Sequence, residues 1–535
     1  MKLNLEQLKK RNQWIDKGYN LSTYNRAKMV EKTLESPKWI HFGAGNIFRG
    51  FPAALMQELL EENIEDTGII VSEGFDYDII DKIYKPHDNL NLLVTLNYDG
   101  SINKKVIDSL AASYKCDYKY REDWQNLKKV FASISLQMAT FTITEKGYSL
   151  QDSNNNYFNI VEQDFINGPN NSKFFLSKLT ALVYHRYKTN QAPLALLSMD
   201  NCSHNGEKLQ NAVFTIAKQW EKNEFVEKEF IEYLNTKVSF PWSMIDKITP
   251  RPDKSVVEML SKDGFEDTQI IVTDKNTWIA PFVNAEKPQY LVVEDDFPNG
   301  RLALDKCGVF FTTRDTVNKV EKMKVCTCLN PLHTTLAIFG CLLSYTLISK
   351  EMQDPQLKKL VEIIGYDEGM KVVVDPKIIE PKAFIEEVLN IRFPNPFMPD
   401  TPQRIACDTS QKLSIRFGET IRAYDKSSQL DVKTLKFIPL VYAAWLRYLM
   451  GEDDEGNTFD LSPDPLLDTV TPFVKDIKLG DKGPFDTKLK PLLENEKIFG
   501  INLYSVGLDS LVLSYFSELV KNKGAVRATL KKYLY

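Results

Sequence analysis

The chain has 535 residues, of which 43% are hydrophobic and 26% charged, with a formal net charge of -5 at pH 7. This length predicts two or more domains, and the composition is that of a soluble globular protein. The acidic balance excludes a general electrostatic attraction to nucleic acid or to an anionic membrane. No apolar run typical of a signal peptide opens the chain, and the longest apolar stretch, residues 336–348, is shorter than a bilayer span. We therefore expect a cytoplasmic protein with neither nucleic-acid nor membrane partners.

The seven cysteines indicate no disulfide framework, since they are scattered and form no CxxC pair. Cys326 and Cys328 form a CxC pair, but no second Cys/His cluster at metal-ligand spacing accompanies them. We interpret these two residues as packing thiols and predict no bound metal.

The N-terminal half alternates strand-like and helical segments. Residues 1–37 predict a polar helix followed by a connector. Further strands and helices are predicted in alternation: strands at 39–42, 68–72, 141–144 and 194–198, and helices at 51–61 and 173–187. Such alternation favours a largely parallel α/β sheet of the Rossmann type.

From residue 296 onward the pattern changes to helices with few strand candidates. The predicted helices are 320–349, 357–365, 381–391, 401–423, 434–451 and 508–523, and a surface loop is predicted at 452–465. The expected fold class is therefore α/β. A Rossmann-type dinucleotide-binding domain with a mostly parallel sheet is expected over residues 1–295, and a mainly α-helical substrate domain over residues 296–535.

A glycine-rich turn, residues 43–50, follows the first of the alternating strands and precedes a helix. Its glycines at 43, 45 and 50 leave one gap longer than GxGxxG. One glycine permits the tight turn and another lets backbone N–H groups approach a diphosphate, while Arg49 is a candidate for a phosphate contact. A purely structural turn explains the glycines about equally well. The flanking strand and helix favour the dinucleotide site.

A carboxylate at the end of the second strand would receive the ribose hydroxyls and disfavour a 2′-phosphate. Glu73 and Asp76 are the candidates for this role. Either can instead be a solvated turn carboxylate, because the spacing from Gly45 exceeds the usual roughly 20 residues. NAD is therefore expected rather than NADP.

Six segments in a fixed order carry a family resemblance. They are HFGAGNIFRGF (41–51), TITEKGY (142–148), SMDNCSHNG (198–206), FPWSMIDKITP (240–250), KVCTCLNPLH (324–333) and RIACDTSQKL (404–413). With them the chain resembles the polyol-specific long-chain dehydrogenases, a family that includes mannitol 2-dehydrogenase, fructuronate reductase and tagaturonate reductase. The segments cover most of the chain, and their joint order is more specific than any one of them.

The resemblance implies roles for individual residues. Lys324 would be the catalytic base, Asn201 and Asn330 would polarise the substrate oxygen, and Glu321 would gate proton exchange with water. His333 would be a further catalytic residue that lines the substrate site. The other candidates line the substrate or cofactor site: Ile245, Asp246, Arg404, Lys412 and Asn205 for the substrate, and Gly43, Gly45, Asn46, Ile47, Phe48, Arg49, Glu73, Asp76, Thr144 and Glu145 for the cofactor.

These residue types suit the oxidation of an alcohol. A lysine accepts the hydroxyl proton when burial and nearby cations lower its pKa. Two asparagine donors stabilise the developing alkoxide, in place of the zinc ion of other alcohol dehydrogenases. The leading hypothesis is a zinc-independent, NAD-dependent fructuronate reductase that makes D-mannonate. The alternatives are mannitol 2-dehydrogenase, tagaturonate reductase and, from a different class, a non-catalytic NAD-dependent sugar-acid sensor.

Each of these residues also has a structural interpretation. The alternatives are a helix N-cap for Asn330 before Pro331, a satisfied core histidine for His333, a plain turn for residues 200–206, a solvated charged face for Lys322 and Lys324, and a surface ion pair between Arg404 and Asp408. Their joint occurrence in family order favours the catalytic interpretation.

One departure from the family pattern concerns the lysine. Lys324 stands six residues before Asn330, whereas the family pattern has five. On an ideal helix one added residue rotates the lysine by ~100°. A π-bulge would absorb that residue, and an irregular turn before a helix starting at Pro331 is the other solution. Lys322 is a weaker substitute, and Lys324 is preferred because it keeps the spacing to Glu321.

Overall fold

The computed structural model describes residues 1–152 and 154–535, which form two compact units, Met1–Asn318 and Lys319–Tyr535. The division lies later than the predicted boundary after residue 295. The reason is that strand Phe310–Thr312 pairs in parallel with strand Tyr290–Glu294, with Val292 opposite Phe310. This pairing keeps the chain in the first unit beyond residue 295.

In the described part of the first unit, the strands form four sheets. In chain order the strands are β1 (Tyr19–Asn20), β2 (Trp39–Phe42), β3 (Ile69–Glu73), β4 (Asn91–Leu96), β5 (Ile102–Ile107), β6 (Leu110–Lys115), β7 (Met138–Phe141), β8 (Leu194–Ser198), β9 (Val238–Ser239), β10 (Ser243–Asp246), β11 (Ile271–Val272), β12 (Trp278–Ile279), β13 (Phe282–Ala285), β14 (Tyr290–Glu294) and β15 (Phe310–Thr312).

The main sheet has six strands in the order β6-β3-β2-β7-β8-β9, and all its pairs are parallel. This is the strand order of a doubly wound dinucleotide-binding sheet, in which successive strands are added on one side of β2 as far as β6 and on the other side from β7 onward. The predicted parallel sheet of the Rossmann type is confirmed. One strand is displaced, since β7 ends at Phe141 where the sequence predicts a strand over 141–144.

Both faces of this sheet are buried by separate hydrophobic clusters. In β2, Ile40 and Phe42 belong to one cluster and Trp39 to the other, because successive strand residues point to opposite faces. Burial on both faces explains why β2 and β8 are apolar runs without polar alternation.

Three smaller sheets complete the first unit, and the sequence predicts none of them. They are β1-β5-β4-β13, the hairpin β11-β12, and β10-β14-β15. The first 37 residues differ from the predicted polar helix, because they form three short helices and strand β1, which pairs with β5.

The helices of the first unit surround these sheets. They are α1 (Leu5–Leu8), α2 (Arg11–Ile15), α3 (Arg26–Glu35), α4 (Asn46–Gly50), α5 (Pro52–Glu61), α6 (Arg121–Ala132), α7 (Asn159–Asn167), α8 (Phe175–Thr189), α9 (Asn205–Lys222), α10 (Lys228–Thr236), α11 (Lys254–Lys262) and α12 (Arg314–Met323), within which the first unit ends, together with a π-helix at Ile80–Tyr84. The predicted helices at 51–61 and 173–187 correspond to α5 and α8.

The second unit, all of which is described, consists of helices and loops without a strand of two or more residues. Its α-helices are α13 (Asn330–Leu342), α14 (Ile348–Glu351), α15 (Pro355–Glu362), α16 (Pro381–Glu387), α17 (Pro402–Ile405), α18 (Thr409–Leu413), α19 (Glu419–Asp425), α20 (Phe437–Tyr448), α21 (Leu467–Val470), α22 (Asp486–Leu493), α23 (Glu496–Phe499), α24 (Asp509–Leu519) and α25 (Ala525–Leu534). Four π-helices interrupt them, at Lys324–Cys328, Ile363–Gly369, Val388–Arg392 and Ser414–Gly418. The predicted helical domain is confirmed.

Short 3₁₀ turns link several of these helices and strands. They lie at Lys85–His87, Glu145–Tyr148, Gly168–Asn170, Leu304–Cys307, Met370–Val372, Val432–Thr434 and Thr471–Phe473.

The predicted helix over 401–423 is broken into shorter pieces. Asp408 takes the left-handed conformation with φ +54°, which separates α17 from α18. The predicted loop over 452–465 contains only one isolated bridge, Glu452 with Thr458. One helical run, Arg314–Leu342, has the length and apolar composition to cross a membrane, but 83% of its most apolar window is buried inside the protein, as in the core helix of a globular protein.

Candidate active site

Gly43 ends the central strand β2 in a backbone conformation that glycine adopts most readily. Its φ is +103°, and a Cβ there would lie 2.2 Å from the carbonyl oxygen of Thr142. The N–H of Gly43 donates to the Ser72 carbonyl at 2.9 Å, and the Thr142 hydroxyl donates to the Gly43 carbonyl at 3.0 Å. The turn is therefore fixed to the ends of β3 and β7, the two strands next to β2.

Two side chains hold the next residue, Ala44. Glu73 Oε2 accepts its N–H at 2.8 Å, and the Tyr84 hydroxyl donates to its carbonyl at 2.9 Å. His41, which is fully buried, stacks on Phe48 with ring centroids 4.1 Å apart. Burial lowers the pKa of His41 to about 3, so its ring is neutral at physiological pH and serves as packing.

The chain borders open space at Gly45, because a Cβ at this position would meet no atom within 4 Å. Asn46 begins α4, and its carboxamide donates to the Pro250 carbonyl at 3.3 Å. Phe48 is buried in the core and Ile47 is half-buried. Of the predicted cofactor residues, Gly45, Asn46 and Ile47 are thus the partly exposed ones of the turn, and Phe48 has only main-chain groups to offer.

Arg49 has a different role from the predicted phosphate contact. Its side chain is fully buried, its Nη2 donates to the Ala280 carbonyl at 2.8 Å, and its guanidinium lies 5.9 Å from the Tyr84 ring centroid. Nε and Nη1 are also buried and have no hydrogen-bond partner. Burial lowers the pKa of Arg49 to about 10. The guanidinium therefore braces α4 from inside the protein.

The two carboxylates predicted to receive ribose hydroxyls are both engaged with the protein. Glu73 Oε1 accepts the backbone N–H groups of residues 74–76 at 2.8 to 3.3 Å, while Oε2 holds Ala44. Burial raises the pKa of Glu73, and these four N–H groups oppose the rise. Asp76 is buried, and its Oδ2 accepts the Thr273 hydroxyl at 2.6 Å. Contact of either carboxylate with ribose stays a prediction.

Asp200, directly after β8, fixes the segment that follows β7. Its carboxylate accepts the N–H groups of Ile143 and Thr144, each at 2.9 Å, and the Tyr148 hydroxyl at 2.5 Å. Burial raises the pKa of Asp200, and these donors oppose the rise. Thr144 has a φ of +70°, so Asp200 holds this predicted cofactor residue in a strained backbone conformation.

Asn205 has a different role from the predicted substrate contact. Its Nδ2 donates to the carbonyls of Asp200 and Ser243, both at 3.0 Å, and its Oδ1 accepts the N–H groups of Ser243 at 3.0 Å and Gly206 at 2.8 Å. With the side chain buried, these bonds occupy its polar atoms. Asn205 instead ties the end of β8 to the start of β10.

The other predicted residues of the first unit differ in exposure. Asn201 is exposed immediately after Asp200, whereas Ile245 and Asp246 are buried at the end of β10. Glu145 is exposed and forms an ion pair with Lys208 at 2.5 Å. The carboxyl ends of β2, β3, β7 and β8 thus carry the turns with most of the predicted cofactor residues, as expected for a parallel sheet.

In the second unit, Lys324 is the first residue of the π-helix Lys324–Cys328, and only 2% of its surface is exposed. The Leu329 N–H donates to the Lys324 carbonyl at 3.1 Å, which closes the wider turn. Of the two solutions considered for the added residue, the π-bulge is the one present at the lysine, and it takes up one residue between Lys324 and Asn330. A solvated charged face is excluded for Lys324, although Lys322 is exposed.

Asn330 is not an N-cap. Leu329 holds that position, and Asn330 is the first residue of α13, with Pro331 after it. The Oδ1 atom of Asn330 is buried without a hydrogen-bond partner. Buried carboxamide oxygens normally accept a hydrogen bond, so the missing donor at Asn330 is not explained by helix capping.

His333 and Arg404 meet at one carboxylate, Asp400. His333 Nε2 lies 2.8 Å from Asp400 Oδ2, and Arg404 Nη2 donates to Oδ1 at 2.5 Å. Burial alone would raise the pKa of Asp400, but the charges and hydrogen bonds of His333 and Arg404 hold it at about 2. Arg404 thus pairs with Asp400 and not with Asp408, the partner considered from sequence.

Lys412 lies in α18, and its amine donates to the Cys407 carbonyl at 2.6 Å. Burial and the neighbouring charge of Arg416 lower the pKa of Lys412. The Arg416 guanidinium donates to the Thr334 hydroxyl, and burial lowers its pKa to about 10. Glu321 lies half-buried in α12. This part of the second unit is therefore rich in desolvated cations.

Three side chains that build these sites are not among the residues predicted from the sequence: Tyr84, which holds the glycine turn, Asp400 and Arg416. Tyr84 and Arg416 carry no local signal, because both are distant in sequence from their partners. Asp400 stands four residues before Arg404, a spacing that favours an ion pair on a helix, so a signal for it existed. Among residues 1–152 and 154–535, no group of three or more His, Cys, Asp or Glu side chains gathers in a metal-binding arrangement.

The strand order, the strained glycine turn and the polar turns at the carboxyl ends of the strands define a Rossmann-type dehydrogenase. Comparisons with known proteins agree with this class. The mannitol dehydrogenase Rossmann domain matches residues 37–306, and the mannitol dehydrogenase C-terminal domain matches residues 316–508. The chain belongs to the mannitol dehydrogenase family.

Individual relatives match over nearly the whole length. D-mannonate oxidoreductase of Thermotoga maritima is 53% identical over 534 residues, which is 99% of each chain. D-mannonate oxidoreductase of Escherichia coli is 26% identical, over 81% of this chain and 84% of its own. The structure of Pseudomonas fluorescens mannitol 2-dehydrogenase, a ternary complex with NAD and D-mannitol, has a TM-score of 0.73 at 25% identity and covers 100% of this chain and 99% of its own.

Proposed function

We propose that this protein is a zinc-independent, NAD-dependent fructuronate reductase that interconverts D-fructuronate and D-mannonate in the cytoplasm. The observation that carries the proposal is the 53% identity, over 99% of both chains, with a D-mannonate oxidoreductase. Mannitol 2-dehydrogenase is the second candidate, because a solved structure of that enzyme matches the whole chain. Tagaturonate is a third substrate to be tested.

The first unit fits a dinucleotide cofactor. Gly43 makes the tight turn, and the open space at Gly45 allows the backbone to approach a diphosphate closely. Glu73 and Asp76 stand at the end of β3, where the adenosine ribose lies in folds of this type. Thr144 and Glu145, after β7, would complete the cofactor surface. The bound nicotinamide ring would supply or accept the hydride.

Lys324 would donate a proton to the carbonyl oxygen as the carbonyl carbon is reduced, and would take it back in the oxidation direction. Its burial removes it from bulk water, so proton transfer is confined to groups placed beside it. Glu321, one helical turn earlier, would return the proton from solvent. The carboxamides of Asn201 and Asn330 would donate hydrogen bonds to the oxygen as negative charge develops on it.

The oxygen of Asn330 supports this role. It is buried without a partner, and the residue caps no helix. A bound substrate hydroxyl is a donor that would satisfy it while the amide nitrogen of the same side chain faces the reacting oxygen. His333, oriented by Asp400, would hold a further substrate oxygen.

The cations of the second unit support an acidic substrate. Arg404, which is exposed, and Lys412 would bind the carboxylate of the uronate, and the largely buried Arg416 adds a third positive charge. A guanidinium binds a carboxylate more strongly than it binds a hydroxyl, because the hydrogen bond is charge-assisted. Asp246 and Ile245 would line the remainder of the substrate site.

The first experiment is a substrate panel. Purified protein with NADH is offered fructuronate, tagaturonate and fructose, each over a range of concentrations, and the absorbance of NADH is followed. We expect the highest kcat/KM with fructuronate. Turnover of fructose alone would assign the chain to mannitol 2-dehydrogenase, and NADH binding without turnover of any of the three would identify a sensor.

The second experiment tests the base. Lys324→Ala is expected to lower kcat by about 10²- to 10⁴-fold, the usual contribution of a general acid or base, with NADH affinity unchanged. Lys322→Ala is the matched control, since it removes an exposed lysine two residues away and should leave kcat near that of the unmodified enzyme. Partial rescue of Lys324→Ala by added primary amines would distinguish lost chemistry from misfolding. Near-normal turnover of Lys324→Ala would remove it from the base role.

A further inference from the structure

A cavity of about 330 Å³ lies beside the glycine turn in the first unit. One wall is formed by Gly45 and Asn46, and another by Ile79 in the segment after β3. A further wall is formed by the hairpin β11-β12, through Asn276 to Ile279, and by Arg251. The cavity therefore borders both the turn that would approach a diphosphate and the strand end that would approach the adenosine ribose.

The hairpin wall is anchored to the segment that follows β3. The Thr273 hydroxyl donates to Asp76 at 2.6 Å, and the Thr273 N–H donates to the Thr277 carbonyl at 2.9 Å. Ile271 pairs with Ile279, and Val272 with Trp278, across the hairpin. Trp278 is thus presented by a fixed element, and 40% of its surface is exposed.

Arg251 is placed at this wall by its backbone. The carboxamide of Asn284 donates to the Arg251 carbonyl at 3.2 Å, and that of Asn46 donates to the Pro250 carbonyl at 3.3 Å. The guanidinium carbon lies 5.9 Å from the centroid of the Trp278 ring. Within the described part of the chain Arg251 forms no ion pair, so its charge is available to a ligand.

The neighbouring carboxylates do not compete for this cation. Glu73 accepts four backbone N–H groups, and Asp76 accepts the Thr273 hydroxyl. An exposed guanidinium 5.9 Å from the centroid of an indole ring, beside a turn with open space at Gly45, suits an anion that carries planar groups. A phosphate of a dinucleotide has this chemistry, and guanidinium–phosphate bonds are among the stronger hydrogen bonds in proteins.

We propose that Arg251, held over Trp278, is a cofactor-binding residue whose guanidinium binds the diphosphate of the dinucleotide. The inference rests on the proposed NAD dependence and adds a residue outside the glycine turn to the cofactor site. Arg251 supplies to the diphosphate the charge that Arg49, buried against Ala280, does not present.

The test compares ligands with and without phosphate by calorimetric titration of the full chain. Arg251→Ala is expected to lower affinity for NADH and ADP by about tenfold to a hundredfold, and to leave affinity for adenosine unchanged. In turnover the KM for NADH rises while kcat at saturating NADH stays constant. Lys275→Ala is the matched control, because Lys275 is a cation on the same hairpin, 5.1 Å from the Phe75 ring centroid. It removes the same net charge, and its effect on ADP should stay below about twofold.

Several outcomes would overturn the proposal. Equal losses in the Arg251 and Lys275 variants would mean a general charge effect, and an equal loss of adenosine binding would mean a packing effect. NADPH is titrated as a fourth ligand, and a loss confined to NADPH would place the guanidinium at a 2′-phosphate and not at the diphosphate. Unchanged NADH and ADP affinity in Arg251→Ala, with normal fructuronate reduction, would remove this inference and leave the proposed function standing. Failure of the unmodified protein to bind NADH would remove both.

Discussion

The substitution Glu351→Gln tests whether a buried carboxyl group of the second unit is held neutral. Glu351 ends α14 with 0% of its surface exposed, and both carboxyl oxygens are buried without hydrogen-bond partners. A Cβ at Gly340 would lie 2.4 Å from its Oε1, so the group is packed directly on α13. Burial raises the pKa of Glu351 well above 4.5, and the negative charges of Asp400 and Asp354 raise it further.

The sign of the effect follows from proton binding. Above pH 4.5 the unfolded chain releases the Glu351 proton, whereas the folded protein keeps it. The free energy of unfolding therefore falls as pH rises, by about 1.4 kcal/mol per pH unit, until the folded pKa is reached. Glutamine cannot ionise, so the variant lacks this loss. Between pH 5.5 and pH 7.5 the free energy of unfolding of the variant should therefore rise by up to about 3 kcal/mol relative to that of the unmodified protein.

The assay is urea unfolding followed by far-ultraviolet circular dichroism at half-unit steps between pH 5.5 and pH 7.5. The buried amide is expected to shift the free energy of unfolding of the variant by an amount that does not depend on pH. The test is therefore how the difference in unfolding free energy between the variant and the unmodified protein changes with pH. Glu362→Gln is the control, because that side chain is 38% exposed and lies 3.9 Å from Lys358. Parallel stability curves for Glu351→Gln and the unmodified protein would refute the reasoning.

Two further substitutions separate folding from binding. Gly43→Ala should lower the free energy of unfolding by about 1–3 kcal/mol, since its Cβ would meet the Thr142 carbonyl at 2.2 Å. Gly45→Ala should change the free energy of unfolding by less than about 0.5 kcal/mol and weaken NADH binding about tenfold. Equal stability losses of the two variants in urea unfolding would contradict this. Asp400→Asn should lower the free energy of unfolding by about 2 kcal/mol at pH 7, because the pKa of Asp400 is lowered from 3.8 to about 2 in the folded protein. The ionised carboxylate stabilises the fold fully above pH 3.8, and this stabilisation is lost as pH falls through 2. Urea midpoints at pH 7 and pH 3 check this, and a difference independent of pH would count against it.

The main sheet was predictable because its strands are short apolar runs separated by helical periodicity. Burial on both faces leaves β2 and β8 without polar alternation, which distinguishes them from exposed strands. The smaller sheets were not predictable, because several of their strands are only two or three residues long and give no periodicity, and because some of their pairings cannot be read from the strand pattern. β13 pairs with β4, for example, and β15 with β14, which shifts the domain division.

The candidate site was predictable as a set of residues but not as a set of side-chain directions. Arg49 and Asn205 belong to the family segments, yet both point into the protein and bond to its own carbonyls. Arg251 is absent from the predicted set, because its position beside Gly45 depends on where the β11-β12 hairpin folds. Motif membership identifies which turns form the site, while burial decides which side chains remain available to a ligand.

The spacing of Lys324 and Asn330 shows this limit most clearly. The count of six residues permits two backbone solutions, an inserted π-turn or an irregular turn before α13, and sequence spacing does not choose between them. The hydrogen bond from the Leu329 N–H to the Lys324 carbonyl, five residues back, identifies the π-turn. Because the extra residue is absorbed within the turn that Lys324 begins, the insertion need not rotate Lys324 by ~100° away from Asn330. The altered spacing is therefore compatible with a catalytic lysine, and turnover by Lys324→Ala decides whether it is one.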